Sequence, residues 1–288
     1  MVFVHGNPTW LFHWRRLLAR FRHTHRVIAV DHLGSGLSDR PRGYLYSLAD
    51  HSRNLAHFLD GLGLSSVTLV AQDWGGAIGL HCGLMERPGT LERVVLFNTG
   101  AFPPSRVPKR IAICTWPWLG PFLIQGCNAF PQAALRMALV RPQRLSPTER
   151  DGILAPYRSW RAREGILGFL RDIPRSMRHP TWRHLEHLEA NLTKLRNCPI
   201  ACIWGMRDWC FDEPCLERLH AHLPHAEVTR VEEAGHWVVE DAPDVCERAL
   251  EDFLRRHPVA CKGRPADRTG PNPIDALSPR TSPLEKLR

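Results

Sequence analysis

Three side chains suited to a nucleophilic displacement follow three separate β-rich runs. In Val67-Thr-Leu-Val-Ala-Gln-Asp73-Trp-Gly-Gly76 a β-run turns sharply into a helix, with Ala71 and Gly75 two residues either side of Asp73. Small neighbours let backbone pass close by, so such a turn lifts one side chain above a sheet. A carboxylate in that position attacks without losing a proton. Its natural target is an electrophilic sp3 carbon, and the product is an ester that must then be broken. Asp73 in this setting also reads as an ordinary helix N-cap. Ala234-Gly-His236-Trp237 supplies an imidazole able to take a proton from water near neutrality. Trp204-Gly-Met-Arg-Asp208 supplies an acid to orient that imidazole, with Asp212 as the second choice. The other place for an acid, after the run ending at Phe97, holds Asn98, which cannot ionise.

A displaced anion needs donors. His5-Gly6-Asn7-Pro8 follows the first β-run, and Asn7 offers a side-chain amide while Trp74 offers an indole N–H. The backbone N–H groups of the same two residues are placed to stabilise the oxyanion of ester hydrolysis. Gly-Asn and Asn-Pro are equally common turn signals. Asp31-His-Leu-Gly-Ser-Gly-Leu-Ser-Asp39 is Gly-rich but lacks both phosphate-loop spacings, and it reads as a loop forming the pocket floor.

The elements that must position these residues alternate. Strands are expected at Val2–Val4, Val27–Val30, Val67–Val70 and Val94–Phe97, with helices over Trp14–Phe21, Leu48–Leu62 and Gly76–Glu86. From 102 to 197 the pattern breaks into Pro-, Arg- and Trp-rich helical stretches without a strand. It resumes with strands at Ile200–Trp204 and Val228–Val231 and helices at Glu213–Leu223 and Pro243–Arg256. This is an α/β core with a mostly parallel sheet flanked by helices and an inserted helical cap. Residues 1–101 and 198–257 are read as the two parts of the core, 102–197 as the cap, and 258–288 as a disordered tail or linker. Met1-Val-Phe-Val4 reads as the middle of a buried strand, so N-terminal strands are expected to be missing and the sheet to expose an edge.

Composition narrows the classes. A chain of 288 residues, 43% hydrophobic, can bury one core and a lid. Its longest apolar stretch, 111–126, is interrupted by Pro117 and Pro121 and is too short to span a bilayer. Nine scattered cysteines give no disulfide framework, which points to a reduced, cytoplasmic protein. Sixteen histidines, His184 and His187 included, show no metal spacing, and no cofactor is expected. Net charge is +9, and residues 103–197 hold 16 Lys/Arg against 6 Asp/Glu. A basic cap favours anionic surfaces or is simply a solvated exterior, and it lacks a nucleic-acid module pattern.

Taken together, His5–Trp10, Asp31–Asp39, Gln72–Gly76, Gly205–Asp208 and Ala234–His236 resemble the haloalkane dehalogenase family of α/β-hydrolases, whose chain order is nucleophile, acid, histidine. Within it, Asn98-Thr-Gly-Ala-Phe102, Gly126-Cys-Asn-Ala-Phe130, Leu154–Trp160 and Phe169–Pro174 resemble the β-lactone decarboxylases of long-chain olefin biosynthesis. The resemblance implies Asp73 as nucleophile, His236 as base, Asp208 as its partner, and Asn7 with Trp74 as the leaving-group clamp. It implies a small hydrophobic substrate, a cis-alkene and carbon dioxide as products, and assembly with other olefin-pathway enzymes. Haloalkane hydrolysis is the alternative. An epoxide hydrolase would need two cap tyrosines where only Tyr157 stands, and a catalytically impaired acyl-binding protein is the non-enzymatic reading. Trp116, Trp118, Phe122 and Phe130 read as the lining of a channel for alkyl chains or, equally, as ordinary packing within the cap.

Overall fold

Alternating apolar residues load both faces of one sheet. The computed structural model describes residues 1–259. In chain order the first half contains β1 (Val2–Val4), α1 (Arg15–Phe21), β2 (Ile28–Val30), α2 (Leu48–Gly61), β3 (Val67–Asp73), α3 (Trp74–His81) and β4 (Leu91–Thr99). Six short helices follow: α4 (Lys109–Ala112), α5 (Leu119–Pro121), α6 (Ala129–Met137), α7 (Pro147–Leu154), α8 (Glu164–Arg171) and α9 (Pro180–Asn191). The chain then returns to β5 (Ile200–Gly205), α10 (Glu213–His222), β6 (Glu227–Val231), α11 (Val238–Asp241) and α12 (Pro243–Arg256).

All six strands are parallel, in the order β2-β1-β3-β4-β5-β6. Val2, Val4, Leu69, Ala71, Val94, Leu96, Ile200 and Cys202 pack on one face under α2, α3 and α10. Phe3, Val70, Val95, Phe97, Ala201 and Ile203 pack on the other against α1 and α12. The final helix shows why it docks: Cys246, Leu250, Phe253 and Leu254 recur at helical spacing and are buried, while its opposite face is charged. Each such large side chain contributes about 1.5–3 kcal/mol on burial.

Parallel strands bring their carboxyl ends to one edge of the sheet, where ligands of open α/β sheets bind. At that edge Asp73 ends β3 and Asn98 is the second-last residue of β4, while the segments leaving β1, β3, β5 and β6 carry Asn7, Trp74, Asp208 and His236 in turn. Differences from expectation are local. The helix expected from Gly76 starts at Trp74, and its α-helical part stops at His81 before a π-helical turn over Cys82–Glu86. Leu11–Trp14 is a tight 3-10 turn before α1. β2 forms one edge of the sheet with its three residues half-buried. The expected tail, 258–288, lies outside the described residues except for its first two positions. No helix among the described residues is long and apolar enough to cross a membrane, and their eight cysteines are free.

Candidate active site

The turn at Asp73 is built from contacts that only small residues allow. Asp73 adopts φ +52° and ψ −131°, a left-handed backbone that costs a non-glycine residue about 1–3 kcal/mol. Close packing holds it there. A Cβ on Gly75 would lie 2.2 Å from the Val4 carbonyl oxygen, and one on Gly76 would lie 2.1 Å from Thr99 Oγ1. The Thr99 hydroxyl in turn donates to the Asp73 carbonyl at 2.5 Å. The Asp73 carboxylate makes no capping hydrogen bond to α3, so the N-cap reading does not hold. Instead Asn7 N–H donates to Oδ1 at 2.8 Å, leaving Oδ2 facing His236 Nε2 at 3.6 Å.

His236 is held from both sides. Its Nδ1 lies 2.8 Å from Asp208 Oδ2, its carbonyl accepts from the Gln72 amide, and Phe211 stacks on its ring. Asp208 is almost wholly buried and accepts further hydrogen bonds from Asn98 Nδ2 at 3.0 Å and Cys210 N–H at 2.7 Å. Burial disfavours the imidazolium, but the charge and hydrogen bond of Asp208, followed by those of Asp73, outweigh it and raise the His236 pKa to about 10. Asp212 does not reach this group; its carboxylate pairs with Arg106 at 3.0 Å. Asn98, set aside in the sequence because it cannot ionise, bridges Asp208 to the β5 terminus, its Oδ1 accepting from Gly205 N–H at 2.8 Å. The only signal for that role is its place at the end of β4.

Two chambers meet at Asp73. The larger, about 560 Å³, runs past Trp74, Phe102, Leu185 and Phe211, and the smaller, about 170 Å³, past Leu123, Ala133, His236 and Trp237. Both are lined by Asn7, Asp73, Ile111, Phe130 and Cys210. Asn7 Nδ2 donates to the Ile166 carbonyl of α8 at 3.3 Å, tying the β1 loop to the helical stretch between β4 and β5. Of the four aromatic residues read as channel lining or cap packing, only Phe130 lines a chamber. Trp116, Trp118 and Phe122 are 53%, 90% and 60% exposed, because the proline-broken turns around them aim these rings outward. The Asp31–Asp39 loop lines neither chamber; Asp31 accepts from Leu11 N–H and Leu37 N–H, and His32 N–H donates to His5 Nε2. It buttresses the loop carrying Asn7 from behind. None of the three tyrosines lines either chamber, and the Tyr157 hydroxyl donates to the Thr9 carbonyl at 3.2 Å.

Residues 1–243 match the family model for the alpha/beta hydrolase fold. The chain is 36% identical over 275 residues to a cis-3-alkyl-4-alkyloxetan-2-one decarboxylase of Shewanella oneidensis, covering 93% of this chain and 86% of the relative. It is 31% identical over 258 residues to haloalkane dehalogenase 2 of Mycobacterium tuberculosis, covering 85% and 84% of the two chains. A solved variant of haloalkane dehalogenase DatA from Agrobacterium tumefaciens superposes with a TM-score of 0.80 at 27% identity, over 88% of this chain and 89% of that one. The chain therefore belongs to the α/β hydrolase fold family, among enzymes named as β-lactone decarboxylases and haloalkane dehalogenases.

Proposed function

We propose that this protein is a β-lactone decarboxylase that converts a cis-3,4-dialkyl β-lactone into a cis-alkene and carbon dioxide, with Asp73 as nucleophile. The observation carrying this reading is the pair of unequal apolar chambers meeting at one carboxylate. A β-lactone presents two adjacent carbons, each with an alkyl chain, and the two chains need separate space. A simple haloalkane has one chain and would leave a chamber empty. The similarity to the named decarboxylase points the same way.

The chemistry balances without added water. Asp73 Oδ2 attacks the alkyl carbon bearing the ring oxygen, and that C–O bond breaks with its electron pair passing to the lactone oxygen. The new carboxylate meets the Asn7 amide and the Trp74 side chain. The bond from that carboxylate to the neighbouring carbon then breaks, its pair forms the alkene, and the ester bond to Asp73 breaks to restore the aspartate. Carbon dioxide leaves. Oδ1, held by Asn7 N–H, remains the carbonyl oxygen throughout. His236 has two uses at its 3.6 Å separation. As an imidazolium it stabilises the departing Asp73 carboxylate; with a haloalkane ester in place it would take the proton of an attacking water.

Haloalkane hydrolysis is the second reading, favoured by the same Asp73–His236–Asp208 spacing and by the dehalogenase neighbours. Side-by-side incubation with a long-chain cis-β-lactone and a long-chain haloalkane separates the two. Alkene from the first and no halide from the second is expected. Halide release without alkene would reverse the assignment.

A further inference from the structure

The cap turns one side of a single segment to the cavity and the other to solvent. Ile111, Cys114 and Leu123 line the smaller chamber, while Ile113, Trp116, Trp118 and Phe122 between them are exposed. Trp118 is 90% exposed, which is unusual for so large an apolar surface. The patch is continuous with a fourth exposed aromatic residue, from another segment: a Cβ built on Gly126 would lie 3.6 Å from the Trp160 ring and 3.8 Å from the Phe122 ring. Its charge is one-sided. Between Arg93 and Thr148 the sequence has no Asp or Glu; Lys109 and Arg110 precede the exposed segment in the chain, with the Arg110 guanidinium over the Trp209 ring, and Arg158 and Arg161 flank Trp160 in sequence. Arg175 reaches into the exposed segment, donating to Thr115 Oγ1 at 3.1 Å. None of these five cations forms an ion pair among the described residues.

From the exposed aromatic rings and the surrounding unpaired cations, we infer that the cap segment around Trp116, Trp118 and Phe122 docks on an anionic lipid surface. Tryptophan and phenylalanine flanked by Lys and Arg suit the level of lipid headgroups, where the ring is half in hydrocarbon and the cation meets phosphate. A second copy of this chain fits poorly, because face-to-face contact would set like charges together. The preference for lipid over an acidic protein rests on the proposed reaction, since a dialkyl lactone and its alkene partition into a bilayer. Docking would set the smaller chamber's outer wall against that reservoir.

Sedimentation with vesicles tests this on the full chain. The protein is expected to pellet with vesicles of phosphatidylcholine mixed with phosphatidylglycerol, and at least about tenfold less with phosphatidylcholine alone or at high salt. The Trp118→Ser/Phe122→Ser double variant should lose about tenfold in vesicle binding, and Lys109→Gln about fivefold, with melting temperatures unchanged. The Asp73→Asn protein should pellet like the wild type, so failure of the proposed reaction and failure of docking give different results. No pelleting on anionic vesicles, equal pelleting of the aromatic variant, or patch-dependent capture of an acidic protein without vesicle binding would each overturn the inference.

Discussion

Asn98 and Asp208 are joined by a hydrogen bond of 3.0 Å to the same carboxylate oxygen that receives His236 Nδ1 at 2.8 Å. A neutral amide thus fixes the acid that fixes the imidazole. Asn98 is a positioning residue, because it touches neither chamber.

Replacing it removes three buried hydrogen bonds, one to Asp208, one to the Gly205 carbonyl and one from Gly205 N–H. Asn98→Ala should destabilise the fold by about 1–3 kcal/mol in denaturant titration. Turnover should fall about 10- to 100-fold as the imidazole loses its orientation, with KM little changed. Steady-state kinetics of the folded variant separates the two effects.

His236 predicts a pH dependence of definite sign. Its pKa in the fold is raised to about 10 against an ordinary 6.5, so its pairing stabilises the folded state fully below pH 6.5 and is withdrawn as pH rises through about 10. In the proposed reaction, esterification of Asp73 removes one of the charges that raise it, which lowers the imidazole's pKa when a base is needed. Asp73→Asn mimics that neutralisation. An NMR titration of the His236 ring should show a lower pKa in the variant than in the wild type.

Gly6 packs against the proposed nucleophile, Asp73. A Cβ there would lie 2.2 Å from Asp73 Oδ1, so Gly6→Ala must push the carboxylate aside. A displacement of about 1 Å costs on the order of 100-fold in rate. The expected outcome is that loss in kcat, with cooperative thermal unfolding retained.

The smaller chamber should set how long one alkyl branch may be. Ala133 lines it without lining the larger one. Ala133→Phe should lower kcat/KM about tenfold or more for a lactone with two long chains and much less for one with a methyl branch, because lost apolar burial is worth about 0.8 kcal/mol per methylene. Equal loss for both substrates would detach the chamber from chain recognition.

Much of this site was legible because its parts occupy a few consecutive residues after β-runs. The turn at Asp73 announces itself through Ala71, Gly75 and Gly76, and Gly-His236-Trp follows three residues after β6. Asn98 was not legible, since an amide at a strand end carries no mark of the carboxylate it will meet 110 residues later. The cap aromatics misled for a different reason. Pro117 and Pro121 break the helical period, and without a period hydrophobicity does not reveal which way Trp118 points. The Asp31–Asp39 loop showed its glycines but not its side of the Asn7 loop. There Gly36 has φ +52°, and a Cβ on it would meet the Asp31 carboxylate at 2.1 Å.

The claim on which the mechanism stands is a covalent bond between Asp73 and an sp3 carbon. Both exits from that ester draw on His236, through the imidazolium beside the departing carboxylate or through water activation. His236→Ala protein should therefore accumulate the ester when exposed to a cis-β-lactone or, separately, a haloalkane. Digestion and mass spectrometry of the peptide containing Asp73 is expected to find the added mass of the ring-opened lactone on that residue. An unmodified Asp73 peptide with both electrophiles, while the wild-type protein turns the lactone into alkene, would contradict the account.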